Sequence, residues 1–421
     1  MKLLESTIDK LKSKQNIFLT GGAGVGKTTM TREIIGSYES DAKKVAKLAS
    51  TGMAATLIGG QTLHSFFDLG IAGNIKELES NGKYEVKKKI KKLIHGMDLI
   101  VIDEISMVGK LLFDMILLRL EQSSFQGSFL VVGDFLQLPP VVRGYEEVMF
   151  AFESSAWEKF NFEKVELTHI YRTDDKIFIE LLHNVRSGYI DESIHNQLNE
   201  YIKPLADDLS EFTFLFGKNN SASAHNKEQL HYIDEEAFLN EVQIIKHLKT
   251  VQDSEVDRYI NDARIEKELI LKIGAPILFT RNSWNYFNGE RGVVVNKDVT
   301  YIYIEKHDKK IVKLERIALS KTLWKERTVN GQKEMFEENA FSVYQYPIKL
   351  AFAITIHKSQ GMSIKDLIIQ TNEIFAPSQF YVALSRCSNP ARLNLIAPTK
   401  QWHELAFVNA KARDFVCESI C

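Results

Sequence analysis

Residues Gly21–Thr28 read Gly-Gly-Ala-Gly-Val-Gly-Lys-Thr and match the phosphate-loop pattern GxxxxGK[ST] at every required position. The apolar stub Ile17–Leu19 precedes them, and the helix-compatible run Thr29–Ile35 follows. Glycines in such a loop let backbone N–H groups close around phosphate oxygens, and the helix N-terminus adds partial positive charge. The alternative, a glycine-rich turn that happens to precede a helix, does not account for the filled positions and the flanks. The stretch therefore predicts a nucleoside triphosphate site.

The side chains of this loop have distinct expected roles. Lys27 has the length to reach the β- and γ-phosphate oxygens, and Thr28 has a hydroxyl that suits Mg²⁺. The predicted nucleotide-binding residues are Gly22, Ala23, Gly24, Val25, Gly26, Lys27, Thr28 and Thr29.

Length and composition describe a globular protein of more than one domain. A chain of 421 residues is longer than a single hydrophobic core usually accommodates. Its content of 44% hydrophobic and 26% charged residues is typical of soluble proteins. No apolar run approaches the ~20 residues that a membrane span needs, and Met1–Asn16 lacks the apolar core of a signal peptide. Three cysteines without a CxxC pair predict a reduced, cytoplasmic protein with neither a disulfide framework nor a zinc site.

Three apolar runs in the first 140 residues, Val45–Ala49, Leu99–Ile102 and Phe129–Val132, each stop at a polar cluster. Continuous apolar runs, as opposed to alternating ones, indicate strands buried on both faces, which predicts a parallel sheet covered by helices. Ligands of such sheets bind beyond the carboxyl ends of the strands, where these clusters fall. We therefore expect an α/β nucleotide-binding core.

Two of the polar clusters carry candidate catalytic groups. Asp103 follows a buried strand and is expected to hold Mg²⁺ or its water shell, while the adjacent Glu104 orients or deprotonates the attacking water. Gln137, in the block Gly133–Pro140, offers a donor and an acceptor that suit the γ-phosphate or the lytic water. A turn closed by the two prolines is the alternative for this block.

A net charge of −2 gives no global signature of nucleic-acid binding, although local clusters can still bind single strands. The segment 68–96 contains such a cluster. A solvated helical face is the simpler interpretation of its composition, whereas its place beside a nucleotide site favours DNA contact. Both interpretations remain open for this cluster. It comprises Lys83, Lys87, Lys88, Lys89, Lys91 and Lys92, in a ten-residue stretch whose one acid is Glu85.

A second α/β pattern begins at Phe212–Phe216 and continues with predicted strands at Leu367–Ile369 and Leu393–Ile396. Between them, Gly292–Leu314 consists of short apolar runs separated by polar turns. That pattern predicts a small antiparallel barrel.

The order of these blocks resembles superfamily 1 helicases and is closest to the Pif (petite integration frequency) helicases, with RecD and Dda as relatives. The match spans nearly the whole chain. It is carried by Gly21–Thr28, Ser50–Ala55, Gly60–Phe66, Ile102–Val108, Gly133–Pro140, Glu166–Arg172 with Leu181–Gly188, Ala353–Ser363 and Gln379–Arg386.

The resemblance implies two RecA-like parallel-sheet domains that close on ATP and Mg²⁺ at their interface, with single-stranded DNA across both. Arg172 and Arg386 would supply positive charge to the γ-phosphate from the second domain, and Gly361 would lie at the nucleotide. For Phe66, packing in the core of the first domain is as well supported a prediction as DNA contact. The implied DNA-contact residues are Thr51, His64, Phe66, His357 and Lys358.

The resemblance also implies the domain bounds. Residues 1–165 would form the first RecA-like domain, with 68–96 as an inserted strand-separating wedge. Residues 166–280 and 345–421 would form the second, interrupted by an SH3-like β-barrel over 281–344.

The resemblance therefore predicts an ATP-dependent DNA helicase. We expect a monomer that moves 5′-to-3′ on single-stranded DNA and unwinds forked or partial-duplex DNA, in the repair, recombination and telomere roles of this family. Two other classes remain as alternatives. A small-molecule kinase or NTPase would leave His357–Met362 and Gln379–Arg386 without a purpose. A DNA clamp switched by nucleotide would not need Glu104.

Overall fold

A computed structural model describes the chain over most of its length. None of the helices within the described ranges is long and apolar enough to cross a membrane. The described residues are 2–50, 54–55, 58–70, 72–141, 147–205, 209, 211–263, 265–281, 283–286, 288–329 and 332–418.

Six parallel strands form the first sheet, in the order β3-β2-β4-β5-β1-β6. The three apolar runs of the first 140 residues lie within β2, β4 and β5, so the prediction of a parallel sheet is confirmed. The strands are β1 (Ile17–Thr20), β2 (Val45–Ala49), β3 (Gln61–Thr62), β4 (Leu99–Asp103), β5 (Ser128–Val132) and β6 (Glu163–Glu166).

Helices cover both faces of this sheet because alternate strand residues point to opposite sides. Leu99 and Val101 enter a core with α1 and α2, whereas Ile100 and Ile102 enter another with α6. We call this sheet with its helices the first unit. Its helices are α1 (Lys2–Lys12), α2 (Lys27–Ser40), α3 (Leu63–Phe66), α4 (Ile75–Ser80), α5 (Lys88–His95), α6 (Lys110–Gln122) and α7 (Ser155–Phe160).

The remaining elements follow β6 along the chain. They are α8 (Lys176–Ser187), α9 (Glu192–Glu200), β7 (Thr213–Phe216), α10 (Asn219–Tyr232), β8 (Phe238–Glu241), β9 (Gln243–Lys246), α11 (Asp253–Asp262), β10 (Glu268–Leu271), β11 (Pro276–Phe279), β12 (Arg291–Lys297), β13 (Ile302–Lys306), β14 (Ile311–Leu314), β15 (Ile317–Val329), β16 (Gln332–Gln345), β17 (Ile348–Leu350), β18 (Ala353–Thr355), β19 (Leu367–Ile369), α12 (Gln379–Leu384), β20 (Leu393–Leu395), α13 (Trp402–Leu405) and α14 (Ala410–Glu418).

Four of these strands form a second parallel sheet in the order β18-β7-β19-β20. Its core takes Phe178 from α8, Phe380 from α12 and Trp402 from α13. We call this sheet with those helices the second unit. The strands predicted at Phe212–Phe216 and Leu367–Ile369 both lie in it.

The segment between β7 and β18 forms antiparallel sheets. Five strands pair in the order β14-β13-β12-β11-β17, and the long hairpin β15–β16 pairs separately with β9. Because β11 begins at Pro276 and β17 ends at Leu350, this unit extends past both predicted bounds of 281–344. A short buried strand such as β11 can pair with a strand that is distant in the sequence, as it does with β17. No local sequence pattern shows which strand that partner is. Closure into an SH3-like barrel stays a prediction.

The lysine-rich segment folds as α4 and α5 against the first unit. Leu93 and Ile94 of α5 are buried, so its lysines face outward. The Arg119 guanidinium of α6, 1% exposed, donates to the Tyr84 carbonyl at 2.7 Å and also to the Lys83 carbonyl. This buried arginine fastens the segment to α6.

The C-terminal helix α14 packs against the first unit, whereas the sequence prediction places 345–421 in the second domain. Ala412 and Val416 are buried in the core of the first unit. The Phe415 ring stacks on Phe152 with 4.2 Å between centroids and an interplanar angle of 6°. An amphipathic helix of this kind fits any apolar surface within reach, so only tertiary packing decides which unit it joins.

We predict that Phe415→Ala destabilises the first unit. Truncating this partly buried phenyl ring removes its stacking and leaves a cavity, which costs about 2 to 4 kcal/mol. Thermal unfolding should show a lowered transition temperature, whereas Phe375→Ala, at a ring that is 58% exposed, should change it little. Equal effects of the two variants would show that α14 does not hold the first unit together.

Candidate nucleotide and nucleic-acid site

The phosphate loop joins β1 to α2, and most of its glycines lie in conformations that other residues rarely adopt. Gly26, with φ 89°, caps α2 in the left-handed conformation. Gly21 has φ +137°, and a Cβ there would lie 2.2 Å from the Leu167 carbonyl oxygen. The loop therefore needs glycine both for its backbone turns and because the segment after β6 lies directly against it.

Lys27 opens α2 and folds back over the loop. Its ammonium donates to the carbonyl oxygens of Gly21 at 2.7 Å and Gly22 at 2.8 Å. Burial lowers the pKa of Lys27, and the nearby carboxylates of Asp134 and Glu104 oppose that shift. A desolvated cation within a ring of backbone N–H groups is a site for a polyphosphate.

Two adjacent carboxyl groups face this loop. Asp103 is the last residue of β4, and its Oδ1 accepts from the Glu104 N–H at 2.8 Å. Burial raises the pKa of Asp103, and burial together with the charge of Asp103 raises the pKa of Glu104 to about 7. Asp103 and the exposed hydroxyl of Thr28 are the oxygen ligands that Mg²⁺ prefers. No group of three or more metal-binding side chains occurs in the described part of the chain.

Gln137 is held by a buried ion pair. Its Nε2 donates to Asp134 Oδ2 at 3.3 Å. Asp134 also accepts two bonds from Arg186, from Nε at 3.0 Å and from the second terminal nitrogen at 2.8 Å. The Arg186 guanidinium keeps the pKa of Asp134 low in spite of burial. Sequence reasoning missed Arg186, although it lies in the block Leu181–Gly188.

The two predicted arginines meet at the boundary of the units. Arg172 lies on the segment between β6 and α8, and its Nε donates to Ser363 Oγ at 2.9 Å. Arg386 Nε donates to the Val382 carbonyl at 3.0 Å. Burial and the charge of Arg386 together lower the pKa of Arg172 to about 9, and burial lowers the pKa of Arg386 to about 10. An anion between the two would relieve this repulsion.

A cleft of about 1120 Å³ connects these groups and extends toward β12 and β13. Tyr171, which the sequence did not single out, also lines it with a ring that is 73% exposed. Asp103 is not among the lining residues. The predicted residues that line the cleft are Ala23, Gly24, Val25, Gly26, Lys27, Thr28, Thr29, Glu104, Gln137, Arg172, Gly361 and Arg386.

The predicted DNA-contact residues differ in how exposed they are. Phe66 is 2% exposed and packs edge-on against Phe67, so its ring is part of the core and is not available to a base. His64 is half-buried, and burial lowers its pKa. Thr51 lies outside the described residues. Beside His64, Lys321 of the hairpin donates to Ser65 Oγ at 2.8 Å.

His357 and Lys358 lie in a short 3₁₀ turn directly after β18, at the carboxyl edge of the second sheet. The His357 ring lies 6.5 Å from that of Phe375, with 22° between the planes. Phe375 is an exposed ring that sequence reasoning missed, and its place beside two predicted contacts makes it a candidate stacking surface.

Comparisons with known proteins agree with this geometry. The family model for PIF1-like helicase matches residues 2–196. The chain is similar to ATP-dependent DNA helicase Pif1 of Campylobacter jejuni, with 39% identity over 411 residues that cover 93% of this chain and 91% of the relative. The chain belongs to the Pif1 family of ATP-dependent DNA helicases. The predicted resemblance and the predicted pair of RecA-like parallel sheets are thereby confirmed.

Solved Pif1 structures extend the likeness to the whole fold. Pif1 of a Bacteroides species in complex with ADP-AlF4 is 25% identical, with a TM-score of 0.82 over 100% of this chain and 97% of that one. Bacteroides Pif1 bound to single-stranded DNA is 26% identical, with a TM-score of 0.64 over 100% and 96%. The arrangement of units in this Pif1-family chain is thus nearer to the first of these two structures.

We predict that Glu104→Gln separates nucleotide binding from hydrolysis. The amide keeps the shape of the side chain but cannot accept a proton from water, so turnover should fall at least about 100-fold while nucleotide still binds. Single-turnover hydrolysis and fluorescent-nucleotide titration measure the two effects, with Glu33→Gln on the exposed side of α2 as the matched control. Loss of nucleotide binding in Glu104→Gln would assign this residue a structural role instead.

Proposed function

We propose that this Pif1-family chain couples ATP hydrolysis in the cleft to 5′-to-3′ movement along single-stranded DNA, and so unwinds forked or partial-duplex DNA. The observation that supports this most directly is the cleft itself. Its phosphate loop and Glu104 belong to the first unit, whereas Arg386 and Gly361 come from the second. Closure of the units on a nucleotide would bring all of these groups together.

The residues of the cleft divide the chemistry among themselves. Lys27 binds the β- and γ-phosphate oxygens, and Glu104 takes the proton of the attacking water that Gln137 helps to orient. Arg172 and Arg386 neutralise charge on the transferred phosphoryl group when the units close. Thr28 and Asp103 would hold Mg²⁺, which would neutralise further phosphate charge.

Tyr171 is proposed to hold the nucleotide base. Its ring carbons lie 3.6 Å and 3.7 Å from the Cβ position at Gly26, so the ring stands over the end of the phosphate loop. An exposed aromatic face at this point offers stacking to a base of any kind. Stacking on Tyr171 would therefore contribute to nucleotide affinity more than to discrimination between bases.

Single-stranded DNA is proposed to lie across the carboxyl edges of both sheets. His64 in the first unit and His357 and Lys358 in the second supply donors for phosphates, while Phe375 and the 92% exposed Trp284 offer rings to bases. Each base-pair step costs roughly 1.4 kcal/mol of stacking to separate, so unwinding requires hydrolysis and a wedge. We propose 68–96 as that wedge, and a cytoplasmic monomer as the working form.

The domain division that we propose follows the sheets. The first RecA-like domain comprises 1–166 with α14, and the second comprises the second unit. The inserted antiparallel unit is proposed to run from β8 to β17, which widens the 281–344 of the sequence prediction.

ATP hydrolysis and strand separation on defined DNA substrates test the proposed function. We expect strong stimulation of hydrolysis by single-stranded DNA, and unwinding of duplexes with a 5′ tail but not of those with only a 3′ tail. Lys27→Ala should abolish both activities because it removes the cation of the phosphate loop. An ATP hydrolysis rate that is the same with and without DNA would indicate a small-molecule enzyme. DNA binding with negligible ATP turnover would indicate a clamp. Unwinding from 3′ tails would overturn the polarity.

The lysines of α5 generate a separate prediction. Replacing Lys88, Lys89, Lys91 and Lys92 by glutamine should weaken binding of forked DNA and flatten its salt dependence. Each lost phosphate contact lowers the log–log slope by about 0.7 to 0.9. Fluorescence titrations at several salt concentrations measure the slope.

Four lysines that precede β1 or β2, at the opposite edge of the sheet, form the matched control for charge. Glutamine at these positions should leave the slope unchanged, because ligands of a parallel sheet bind beyond its carboxyl edge. Equal slopes for all three proteins would leave α5 as a solvated face. The control residues are Lys12, Lys14, Lys43 and Lys44.

A further inference from the structure

The boundary between the two units contains a polar contact that the proposed ATP chemistry does not use. The Ala23 N–H in the phosphate loop donates to the Tyr381 hydroxyl at 2.8 Å, and the contact is buried. Tyr381 lies on α12 and is 3% exposed. A backbone donor of the phosphate loop is therefore bound to a side chain of the second unit.

A second contact crosses the same boundary. Arg186 of α8 holds Asp134 through two hydrogen bonds, and Asp134 in turn holds the amide nitrogen of Gln137. With that nitrogen engaged, Gln137 Oε1 is left as the acceptor for water. The orientation of Gln137 thus depends on an arginine of the second unit.

The two contacts form one cluster at the phosphate loop. A Cβ at Gly22 would lie 3.2 Å from the Tyr381 hydroxyl and 3.8 Å from Arg186 Cδ. Ala23 and Leu138, both from the first unit, are packed into the core of the second unit around these groups. Apolar surroundings strengthen hydrogen bonds and make an unpaired donor costly, so the cluster responds sharply to small shifts.

We propose that Tyr381 and Arg186 are positioning residues through which the second unit sets the geometry of the phosphate loop and of Gln137. The inference rests on the proposed helicase function. Arg386 follows α12 directly, so a shift of α12 that moves Arg386 also moves the Tyr381 hydroxyl against Ala23. A shift of α8 acts on Gln137 through Arg186 and Asp134. Two hydrogen-bonded links thereby tie the movement of the second unit to the hydrolytic site.

This role differs from nucleotide binding in a measurable way. Neither Tyr381 nor Arg186 lines the cleft. Changes at either residue should therefore act on turnover with DNA and on the number of base pairs separated per ATP, and should leave the KM for ATP nearly unchanged.

Tyr381→Phe tests the first link because it removes only the hydroxyl. We expect the turnover number at saturating DNA to fall about threefold to tenfold, the scale of one neutral hydrogen bond, with the KM for ATP within about twofold. Fewer base pairs should be separated per ATP. The matched control is Tyr38→Phe, at a tyrosine of α2 that is also 3% exposed, and it should leave turnover with DNA unchanged.

Arg186→Lys tests the second link because lysine keeps the charge but cannot form the paired bonds to Asp134. It should also lower turnover at saturating DNA. Since both links meet in one cluster beside the phosphate loop, the double variant should lose less than the product of the two single losses. Melting temperatures of all variants show whether each is folded.

Several results would overturn the inference. These are unchanged turnover in folded Tyr381→Phe, a rise in its KM alone, an equal loss in Tyr38→Phe, or single losses that multiply in the double variant. A wild-type protein that DNA does not stimulate would overturn the proposed function instead, so the two failures are distinguishable.

Discussion

Parallel strand pairing is the constraint on which the rest of the structure depends. Every pairing between described strands of the first sheet and of the second is parallel, so the carboxyl ends of the strands in each sheet lie at one edge. The phosphate loop, the acidic pair and the block around Gln137 follow β1, β4 and β5 at that edge. Segments separated by more than a hundred residues thus meet without any dedicated contact to bring them there.

Charge divides the site into two kinds of group. Lys27, Arg172 and Arg386 all have lowered pKa values, and Asp103 and Glu104 have raised ones, because burial disfavours the charged form of each. The Asp134–Arg186 pair behaves oppositely. Its partners stabilise each other's charge, so the pKa of Asp134 is lowered and that of Arg186 is raised. Groups whose charged forms are disfavoured, as in the first set, are typical of a reactive site. An ion pair whose partners stabilise each other's charge is typical of a structural contact.

The two units are also joined through the C-terminal helix. α14 carries the chain back from the second unit, and its Phe415 ring contacts Phe135 with 5.4 Å between centroids. Phe135 is the neighbour of Asp134 in the chain, so the end of the chain supports the block that carries Gln137. A helix outside every sequence motif therefore contributes to the stability of the hydrolytic site.

The sequence by itself determined the phosphate loop, the strands β2, β4 and β5, and the placement of Asp103 and Glu104, because these depend on local patterns of glycines, apolar runs and acids. It left Phe66 undecided between core and DNA, and the tertiary structure placed that ring in the core. Only the tertiary structure decided the partners of β11, the return of α14 and the contacts of Tyr381 and Arg186. These depend on which surfaces meet across the fold. The hydrogen bond between Ala23 and Tyr381, for example, joins residues that are 358 positions apart in the sequence.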